Sequence, residues 1–383
     1  MPRIATNDFS ARRPVPSIPP HRSTTRPDPD RSAADAAGMD KRDNPLLGWQ
    51  VDRSTIRNVG VGLQRPECVL AEADGTLWAA DPRGVMRIGG DGRQQLIAQR
   101  GDGARPVQAL SAEQLILGRS LPNGIAFDRD GNIVIANFGT DAIELMTRDG
   151  RSRTLYDSID GQPLGKTNFV LGDSRGRIWF TVTTRLRPWV RSINEKVPDG
   201  YVGLIDDQGI RIVADGFVGT NEIRLDANEE WLYVVESNAR RISRLRVAPD
   251  GSCSGREVFG PSNLGGIPDG FAFDAFGNLW ITLIMAERLV ALAPDGELLT
   301  LLDDGNPAAI AAFDAHFDAG TMTPQIMATC KGSLAPWMAS LTFGGPDLCT
   351  VYLGSLMGTT LPSFRSPVPG LPMAHWKARE TAT

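Results

Sequence analysis

One pattern of polar and apolar positions recurs along the chain from Trp49 onward. Each copy begins with a polar residue, continues with three or four mostly apolar or small residues, turns at an Asp-Gly-like pair and ends in an apolar strand. Alternating runs that flank such a turn are typical of β-hairpins. Five clear copies and a weaker sixth are present: Glu67-CVLAEADGTLW, Asn123-GIAFDRDGNIV, Asn168-FVLGDSRGRIW, Asn221-EIRLDANEEWLY, Asp269-GFAFDAFGNLW and Ser340-LTFGGPDLCTVY.

The spacing of these copies predicts the fold class. Corresponding strand residues of successive copies are 45 to 72 residues apart, and a period of about 50 residues is typical of a propeller or an array. Weaker strands follow each copy, so that two hairpins make one four-stranded blade. We therefore predict an all-β, six-bladed β-propeller with a central metal site. The segment Thr55-IRNVGVGL is expected to supply the outer strand that closes the ring against the last blade.

Composition divides the chain into three parts. Residues 1–50 are rich in Pro, Arg, Asp and Ser and have almost no apolar periodicity. Such a stretch cannot bury enough surface to offset its ordering entropy. We predict a disordered N-terminal tail over 1–50, the propeller over 51–365 and a C-terminal tail over 366–383, with Met39 as an alternative start of the natural protein.

Three insertions interrupt the regular spacing, at residues 100–120, 184–200 and 303–336. The third contains Pro307-AAIAAFDAHFDAG, which predicts a short amphipathic helix that ends at Gly320. Long loops of a compact domain commonly cover a functional site. We expect these insertions to cap the mouth of the central channel.

The leading polar residues of the copies form a candidate site. Each precedes its strand anchor by 11 or 12 residues, so the six residues hold one structural position in six blades, around the central axis at one end. All six present oxygen, which suits a hard cation such as Ca²⁺, whereas Zn²⁺ usually takes His or Cys. The alternative is that Asn and Asp simply favour turns before strands. The set is Glu67, Asn123, Asn168, Asn221, Asp269 and Ser340.

Charge, hydropathy and cysteine usage exclude several classes of protein. The formal net charge is −5 and no basic stripe is visible, so we expect no nucleic-acid partner. No run of about 18 apolar residues is present, so we expect no membrane span. The four cysteines form no CxxC pair, which favours reduced thiols and a cytoplasmic location. We expect a monomer or a small homo-oligomer.

Other chemistry-bearing residues have structural explanations. The chain has three histidines and no GxSxG motif, so a Ser-His-Asp triad is unsupported. The aspartates of the hairpin turns are expected to be turn formers. Blade cores are expected to contain the tryptophans Trp78, Trp179, Trp231 and Trp280.

The repeated segments resemble the senescence-marker-protein/gluconolactonase/luciferin-regenerating-enzyme family of six-bladed propellers. The resemblance extends from about Leu63 to Pro362. Departures lie beside the ring, where Pro-Glu-Cys replaces Glu-Gly-Pro, Phe169 follows Asn168, and Thr220-Asn221-Glu222 replaces Pro-Asn-Gly. The segments that carry the resemblance are Arg65-PECVLAEADGTLWAAD, Leu121-PNGIAFDRDGNIVIAN, Lys166-TNFVLGDSRGRIWFT, Thr220-NEIRLDANEEWLYVVES, Pro268-DGFAFDAFGNLWIT and Leu341-TFGGPDLCTVYLGS.

The resemblance implies a catalytic divalent metal ion held by Glu67, Asn221 and Asp269. Asn168 matches a residue that binds substrate or, in related propellers, the metal, so it joins the expected ligands. Asn123 matches a residue seen in part of the superfamily and is expected to bind substrate. Ca²⁺ is the ion that we expect first, with Mn²⁺, Mg²⁺ or Zn²⁺ as alternatives.

These residues support a metal-dependent hydrolase that acts on a small-molecule lactone or ester. Asp269 is the expected general base, Glu222 is the alternative base, and Asn168 is expected to contact the reacting group. Lys166 and Arg185 could hold a carboxylate or hydroxyls of the substrate. Two other classes stay open: a lyase, aldolase or hydratase that acts through a metal-bound enolate, and a calcium-binding propeller without catalysis.

Overall fold

The computed structural model describes residues 41–101 and 120–376 of the 383-residue chain. These residues belong to one compact unit, Ser32–Thr383. The predicted disorder of residues 1–40, most of the insertion at 100–120 and the end of the predicted C-terminal tail lie outside the described residues.

Six antiparallel sheets of four strands each confirm the predicted six-bladed propeller. The chain begins with β1 (Arg57–Val59), and blades one and two follow as β2 (Val69–Ala71), β3 (Leu77–Asp81), β4 (Gly84–Ile88) and β5 (Gln94–Ala98), then β6 (Pro122–Phe127), β7 (Ile133–Asn137), β8 (Ala142–Met146) and β9 (Ser152–Tyr156). After the small hairpin β10 (Ser158–Ile159) and β11 (Gln162–Pro163), blade three contains β12 (Thr167–Gly172), β13 (Ile178–Val182), β14 (Gly200–Asp206) and β15 (Gly209–Phe217), and blade four contains β16 (Thr220–Leu225), β17 (Trp231–Glu236), β18 (Arg241–Val247) and β19 (Cys253–Phe259). Blade five contains β20 (Ile267–Phe273), β21 (Leu279–Ile284), β22 (Arg288–Leu292) and β23 (Leu298–Asp303), and blade six contains β24 (Met338–Gly344), β25 (Thr350–Ser355) and β26 (Leu361–Arg365).

The first strand of the chain closes the ring. β1 pairs with β26 in an antiparallel register that places Asn58 opposite Pro362, so it is the outer strand of blade six. This is the closure that the sequence predicts. A ring joined in this way covers the edges that open sheets expose.

Burial explains why some strands are easier to predict than others. All five residues of β3, β7 and β13 are buried, because these second strands of their blades pack against a neighbouring blade on each face. The outer strand β19 is mostly exposed, and every residue of the outer strand β9 is exposed or half-buried; together they carry Ser, Arg and Glu. Their weak apolar pattern therefore reflects their place at the rim.

The repeated tryptophans anchor the hairpin turns of the blades. Their indole N–H groups donate to the Glu72, Asp173 and Asp274 carboxylates over 2.8, 2.9 and 2.9 Å. The predicted core position is confirmed for Trp78, Trp179 and Trp280, which are all fully buried. Trp231 lies at the margin of the core: this side chain is half-buried and packs against the apolar cluster that contains Tyr233, and the Arg246 guanidinium lies 3.8 Å from its ring centroid.

The N-terminal segment just before residue 51 packs on the propeller. Leu46 is 1% exposed and lies in the apolar cluster that contains Trp280. The Asn44 amide donates to Asn278 over 2.7 Å. Residues 41–50, which the sequence assigns to a disordered tail, are thus part of the fold, because Leu46 and Trp49 are apolar enough to pack between blades five and six.

The C-terminal segment also departs from the predicted tail. The Leu371 amide donates to the Phe273 carbonyl, and the Trp376 indole donates to the Ala71 carbonyl over 2.7 Å. Ala71 and Phe273 end the inner strands of blades one and five. Residues 371–376 therefore lie across the channel end at which the inner strands finish.

The insertions supply short helices, α1 (Arg191–Glu195), α2 (Pro307–Ala319) and α3 (Pro324–Met327), beside 3₁₀ turns at Lys41–Asp43, Arg53–Thr55 and Ser237–Ala239. The helix predicted before Gly320 is confirmed as α2. Asn306 caps its N-terminus by accepting from two backbone amides, and Gly320 ends it at φ +65°. Among the residues that the structure describes, no helix is long and apolar enough to cross a membrane.

Candidate active site in the channel

β-Bulges mark the predicted ring position in blades two to five. The pairing of inner strand with second strand shifts at the Asn123, Asn168, Asn221 and Asp269 positions of β6, β12, β16 and β20. A bulge bends the strand and redirects its side chains. In blade five the Gly270 amide that the bulge frees donates to the Thr282 hydroxyl over 3.0 Å.

Five of the six ring residues line one cavity at the mouth of the channel. The sixth, Ser340, does not line this cavity, and its hydroxyl donates to the Glu67 carbonyl. The repeat therefore brings side chains from five blades together. The residues in the cavity wall are Glu67, Asn123, Asn168, Asn221 and Asp269.

Hydrogen bonds within the ring use the amide nitrogens and leave oxygens free. The Asn123 amide donates to the Glu67 carboxylate over 3.1 Å and to the Asn168 carbonyl over 3.0 Å. The Asn221 amide donates to the Asp269 carboxylate and, over 3.1 Å, to the Ser237 hydroxyl. These hydrogen bonds fix the orientation of both side-chain amides.

Three buried oxygens of the ring have no donor among residues 41–101 and 120–376. They are Glu67 Oε2, Asn168 Oδ1 and Asn221 Oδ1. Buried acceptors without a partner cost free energy, and a hard cation would satisfy them. No group of three His, Cys, Asp or Glu side chains that could hold a metal occurs among residues 41–101 and 120–376. A cation here would thus need the amide oxygens, and the two carboxylates of the ring would balance its charge.

Arg65 is a functional candidate that sequence reasoning missed. Its side chain lines the same cavity, although it is only 5% exposed. The guanidinium donates to Asn123 Oδ1 over 2.5 Å and to the Pro122 carbonyl over 3.1 Å, while Nε has no acceptor. Arg65 lies two positions before Glu67, outside the repeated register, and its φ of +46° turns it into the channel. No pattern in the sequence signals that turn.

Burial sets the protonation of the ring carboxyls. It raises the pKa of Glu67 to about 7, against the lowering effect of the Arg65 charge. It also raises the pKa of Asp269 well above its usual range, and the neighbouring charges of Glu67 and Glu222 add to that shift. Burial thus favours the protonated form of both carboxyls, whereas a bound cation would favour their charged form.

Glu222 lies outside the cavity. It is fully buried and pairs with Arg224 over 2.8 Å, and it also accepts from the Phe271 amide. Burial raises its pKa to about 8. Asn221 and Glu222 are adjacent in sequence, but only Asn221 lines the cavity, so the geometry favours Asp269 over Glu222 as the base.

The two predicted cationic substrate contacts also lie outside the cavity wall. Lys166 pairs with Asp141 over 2.6 Å and donates to the Phe138 carbonyl over 2.8 Å. The exposed Arg185 places its guanidinium 4.4 Å from the Tyr201 ring centroid. Both charges are therefore engaged with the protein instead of facing the ring.

Two of the three insertions cover the ring. The wall above it includes side chains from residues 184–200 and 303–336, as predicted for a cap. The cavity that remains has a volume of about 120 Å³. Its principal apolar side chains are Phe138, Trp189, Ile193, Phe313, Met327 and Trp337.

The fold and the ring together define a class of protein: six-bladed propellers with a functional site in the central channel. Comparison with known families shows which family of this class the chain matches. Residues 109–323, more than half of the chain, match the family described as the SMP-30/gluconolactonase/LRE-like region. The chain belongs to this family, as its repeated segments indicate.

Individual relatives are distant. The gluconolactonase of Zymomonas mobilis subsp. mobilis is 28% identical over 203 residues, which are 48% of this chain and 54% of that protein. The chain thus spans about half the length of this curated relative. Two solved structures share the fold: a gluconolactonase from Xanthomonas campestris (19% identity, TM-score 0.57, 82% of this chain and 89% of that chain) and the calcium-binding protein regucalcin from Agrobacterium tumefaciens (15%, 0.55, 82% and 92%).

Proposed function

We propose that this protein is a hydrolase that opens a lactone or ester, with one divalent cation held by the channel ring. The observation that carries the proposal is the group of three unpaired buried oxygens beside the Asp269 carboxylate in one cavity. Family membership and the gluconolactonase relatives support the reaction class. A calcium-binding relative supports the cation.

The residues that would hold the cation are Glu67, Asn168, Asn221 and Asp269. Asn123 is not among them, because its oxygen already accepts from Arg65. Ca²⁺ is the expected ion, since the donors are all oxygens and include neutral amides. When bound, the ion supplies Lewis-acid polarisation of the substrate carbonyl.

Asp269 is the proposed general base. Its carboxylate would take the proton of a water molecule as that water attacks the carbonyl carbon. The C–O bond of the ester or lactone then breaks and the same proton passes to the leaving oxygen, which gives a hydroxy acid or an acid and an alcohol. The Asn221 amide holds this carboxylate in place. Glu222 is the less favoured base because it does not line the cavity and one of its carboxylate oxygens pairs with Arg224.

Arg65 and the remaining amides position the substrate. The unpaired Nε–H of Arg65 can donate to the oxyanion that forms during attack. Asn123 holds Arg65 and Glu67 in place, since its amide and carbonyl groups bond to them. Asn168 can donate its amide to the substrate. Lys166 supports the wall residue Phe138 by donating to its backbone carbonyl, and neither Lys166 nor Arg185 lines the cavity.

Removal of the base tests this proposal. We expect Asp269→Asn to lower kcat on a responsive lactone by about 10²-fold or more while the protein still folds. A panel of sugar and aromatic lactones would be assayed with Ca²⁺, Mn²⁺, Mg²⁺, Zn²⁺ and EDTA. Asp128→Asn is the matched control, because within the described part of the chain the Asp128 carboxylate accepts hydrogen bonds only from the blade-two turn. Undiminished turnover in Asp269→Asn would contradict the proposal.

A further inference from the structure

We propose that the substrate of this site has an apolar body, such as one aromatic ring or a short alkyl chain, instead of the hydroxyl-covered body of a sugar lactone. This inference rests on the proposed function and names the substrate class of the same site. It follows from the chemistry of the wall above the ring, whose apolar side chains were described with the cavity.

The polar groups of the wall offer few partners to substrate hydroxyls. The Asn238 amide donates to the Ser192 carbonyl and hydroxyl over 3.1 and 3.3 Å. The Ser237 hydroxyl donates to the Pro268 carbonyl over 2.6 Å. Thr183 keeps an unpaired hydroxyl, but a sugar lactone would bring several hydroxyls that each need partners. Burying hydroxyls without partners costs on the order of 1–3 kcal/mol each.

The free donors of the wall match a substrate with one polar end. Within the described part of the chain, Trp189 Nε1 and Trp337 Nε1 are buried N–H groups without an acceptor, and Arg65 Nε is a third. These groups can donate to ester or lactone oxygens, but they cannot accept from hydroxyls. An ester has acceptor oxygens and no donor, so its polar end suits such a wall.

The apolar wall is a built part of the fold. Phe138 and Trp189 meet edge to face, with ring centroids 5.1 Å apart. The Phe313 and Phe317 rings stack at 6.1 Å on α2, and the Lys196 ammonium donates to the Phe317 carbonyl over 2.9 Å. A wall held in this way is preformed, so an apolar body binds without the cost of ordering it.

The size of the cavity limits the body that it accepts. Its volume of about 120 Å³ is close to that of an engineered apolar cavity of roughly 150 Å³ that binds benzene. One aromatic ring or a short alkyl chain fills such a space. The apolar side chains of the cavity cannot form hydrogen bonds with substrate hydroxyls.

The test compares two six-membered lactones on the same enzyme preparation: dihydrocoumarin, which is aromatic, and glucono-δ-lactone, which is polyhydroxylated. We expect kcat/KM for dihydrocoumarin to be at least about tenfold higher than for glucono-δ-lactone. Apolar contact equivalent to one or two methylene groups is enough to produce a difference of that size. Equal values or a preference for glucono-δ-lactone would overturn the inference and leave hydrolysis itself supported.

A matched pair of methionine variants tests the wall directly. Met327→Gln places an amide in the cavity wall and should lower the dihydrocoumarin-to-gluconolactone ratio about fivefold or more. Met322→Gln is the control, because Met322 is buried in the same cluster but does not line the cavity. The ratio is independent of the fraction of folded enzyme. An unchanged ratio in Met327→Gln would overturn the inference.

A binding measurement separates this inference from the proposed function. The lactam analogue of dihydrocoumarin resists hydrolysis and should quench the fluorescence of Trp189 and Trp337 when it binds. Binding without turnover of either lactone would sink the proposed hydrolysis and support the apolar site. Turnover of glucono-δ-lactone without lactam binding would overturn the inference alone.

Discussion

Arg65 places a positive charge among the oxygens that would hold a cation. Its guanidinium is buried, is held by Asn123 and by the Pro122 carbonyl, and keeps one N–H free. Like charges repel more strongly in a buried site than in water. The residue should therefore weaken cation binding and, at the same time, stabilise the oxyanion of the reaction.

Replacement of Arg65 by glutamine separates these two effects. We expect Arg65→Gln to lower kcat about 10²-fold, because a donor to the oxyanion is lost. The same variant should bind Ca²⁺ about tenfold more tightly, because a like charge is removed. Kinetics and calorimetry on one preparation measure both, with the exposed Arg153→Gln as the control. A fall in both kcat and Ca²⁺ affinity would show that Arg65 only maintains the structure.

Glu287, which bonds to the backbone beside the cap, makes the stability of the protein depend on pH. Its carboxylate accepts from the Trp337 and Met338 amides, and burial raises its pKa from 4.5 to about 7. Between these values the folded protein binds a proton that the unfolded chain has lost, so stability falls as the pH rises. The contribution is complete below about pH 4.5 and is lost above about pH 7.

The Glu287→Gln variant should remove this loss. We expect the unfolding free energy of the native protein to fall, relative to that of the variant, by up to about 3 kcal/mol between about pH 5 and pH 8. Urea denaturation of both proteins at the two pH values measures the difference. Parallel pH profiles would show that Glu287 titrates normally in the folded state.

At the level of strands and blades, the repeated segments contain most of the sequence information that predicts the fold and the ring. The six ring positions share an offset of 11 or 12 residues, and strand periodicity converts that offset into one place in each blade. The closing strand β1 was predictable because the last blade lacks a fourth strand of its own. The family assignment follows from the same segments.

Elements outside the repeat could not be placed from sequence. Arg65 enters the channel through a turn with positive φ, and Lys166 finds Asp141 through a contact between blades, which no local pattern encodes. The wall residues of the insertions have no counterparts in other blades against which to align them. Glu222 follows Asn221 but pairs with Arg224 below the ring.

The segment before blade one offers a test of which terminal residues belong to the fold. Leu46 is 1% exposed, and its neighbour Leu47 is 42% exposed. We expect Leu46→Ala to lower the unfolding free energy by about 2–5 kcal/mol, because it leaves a cavity in the core. Leu47→Ala should change it by less than about 0.5 kcal/mol. Equal effects in denaturant titrations would contradict the packing of residues 41–50 on blades five and six.

In the molecule as a whole, different parts of the chain cover the two ends of the channel. Residues 371–376 lie across the end at which the inner strands finish, where Trp376 bonds to Ala71. The ring and the cap occupy the other end, at which the inner strands begin. Six similar sheets thus place oxygen-bearing side chains from five blades at one mouth, where side chains from two insertions line the same cavity.

Calorimetric titration of the metal-free protein with Ca²⁺ tests the central claim, that the channel ring holds one divalent cation. We expect one Ca²⁺ site per chain, whose affinity is at least about tenfold weaker in Asp269→Asn and unchanged in Asp128→Asn. Proton release should accompany binding as the pH is lowered toward about 7, the pKa of Glu67. Affinity in Asp269→Asn equal to that of the native protein, or no binding of Ca²⁺, Mn²⁺, Mg²⁺ or Zn²⁺ to the native protein, would contradict it.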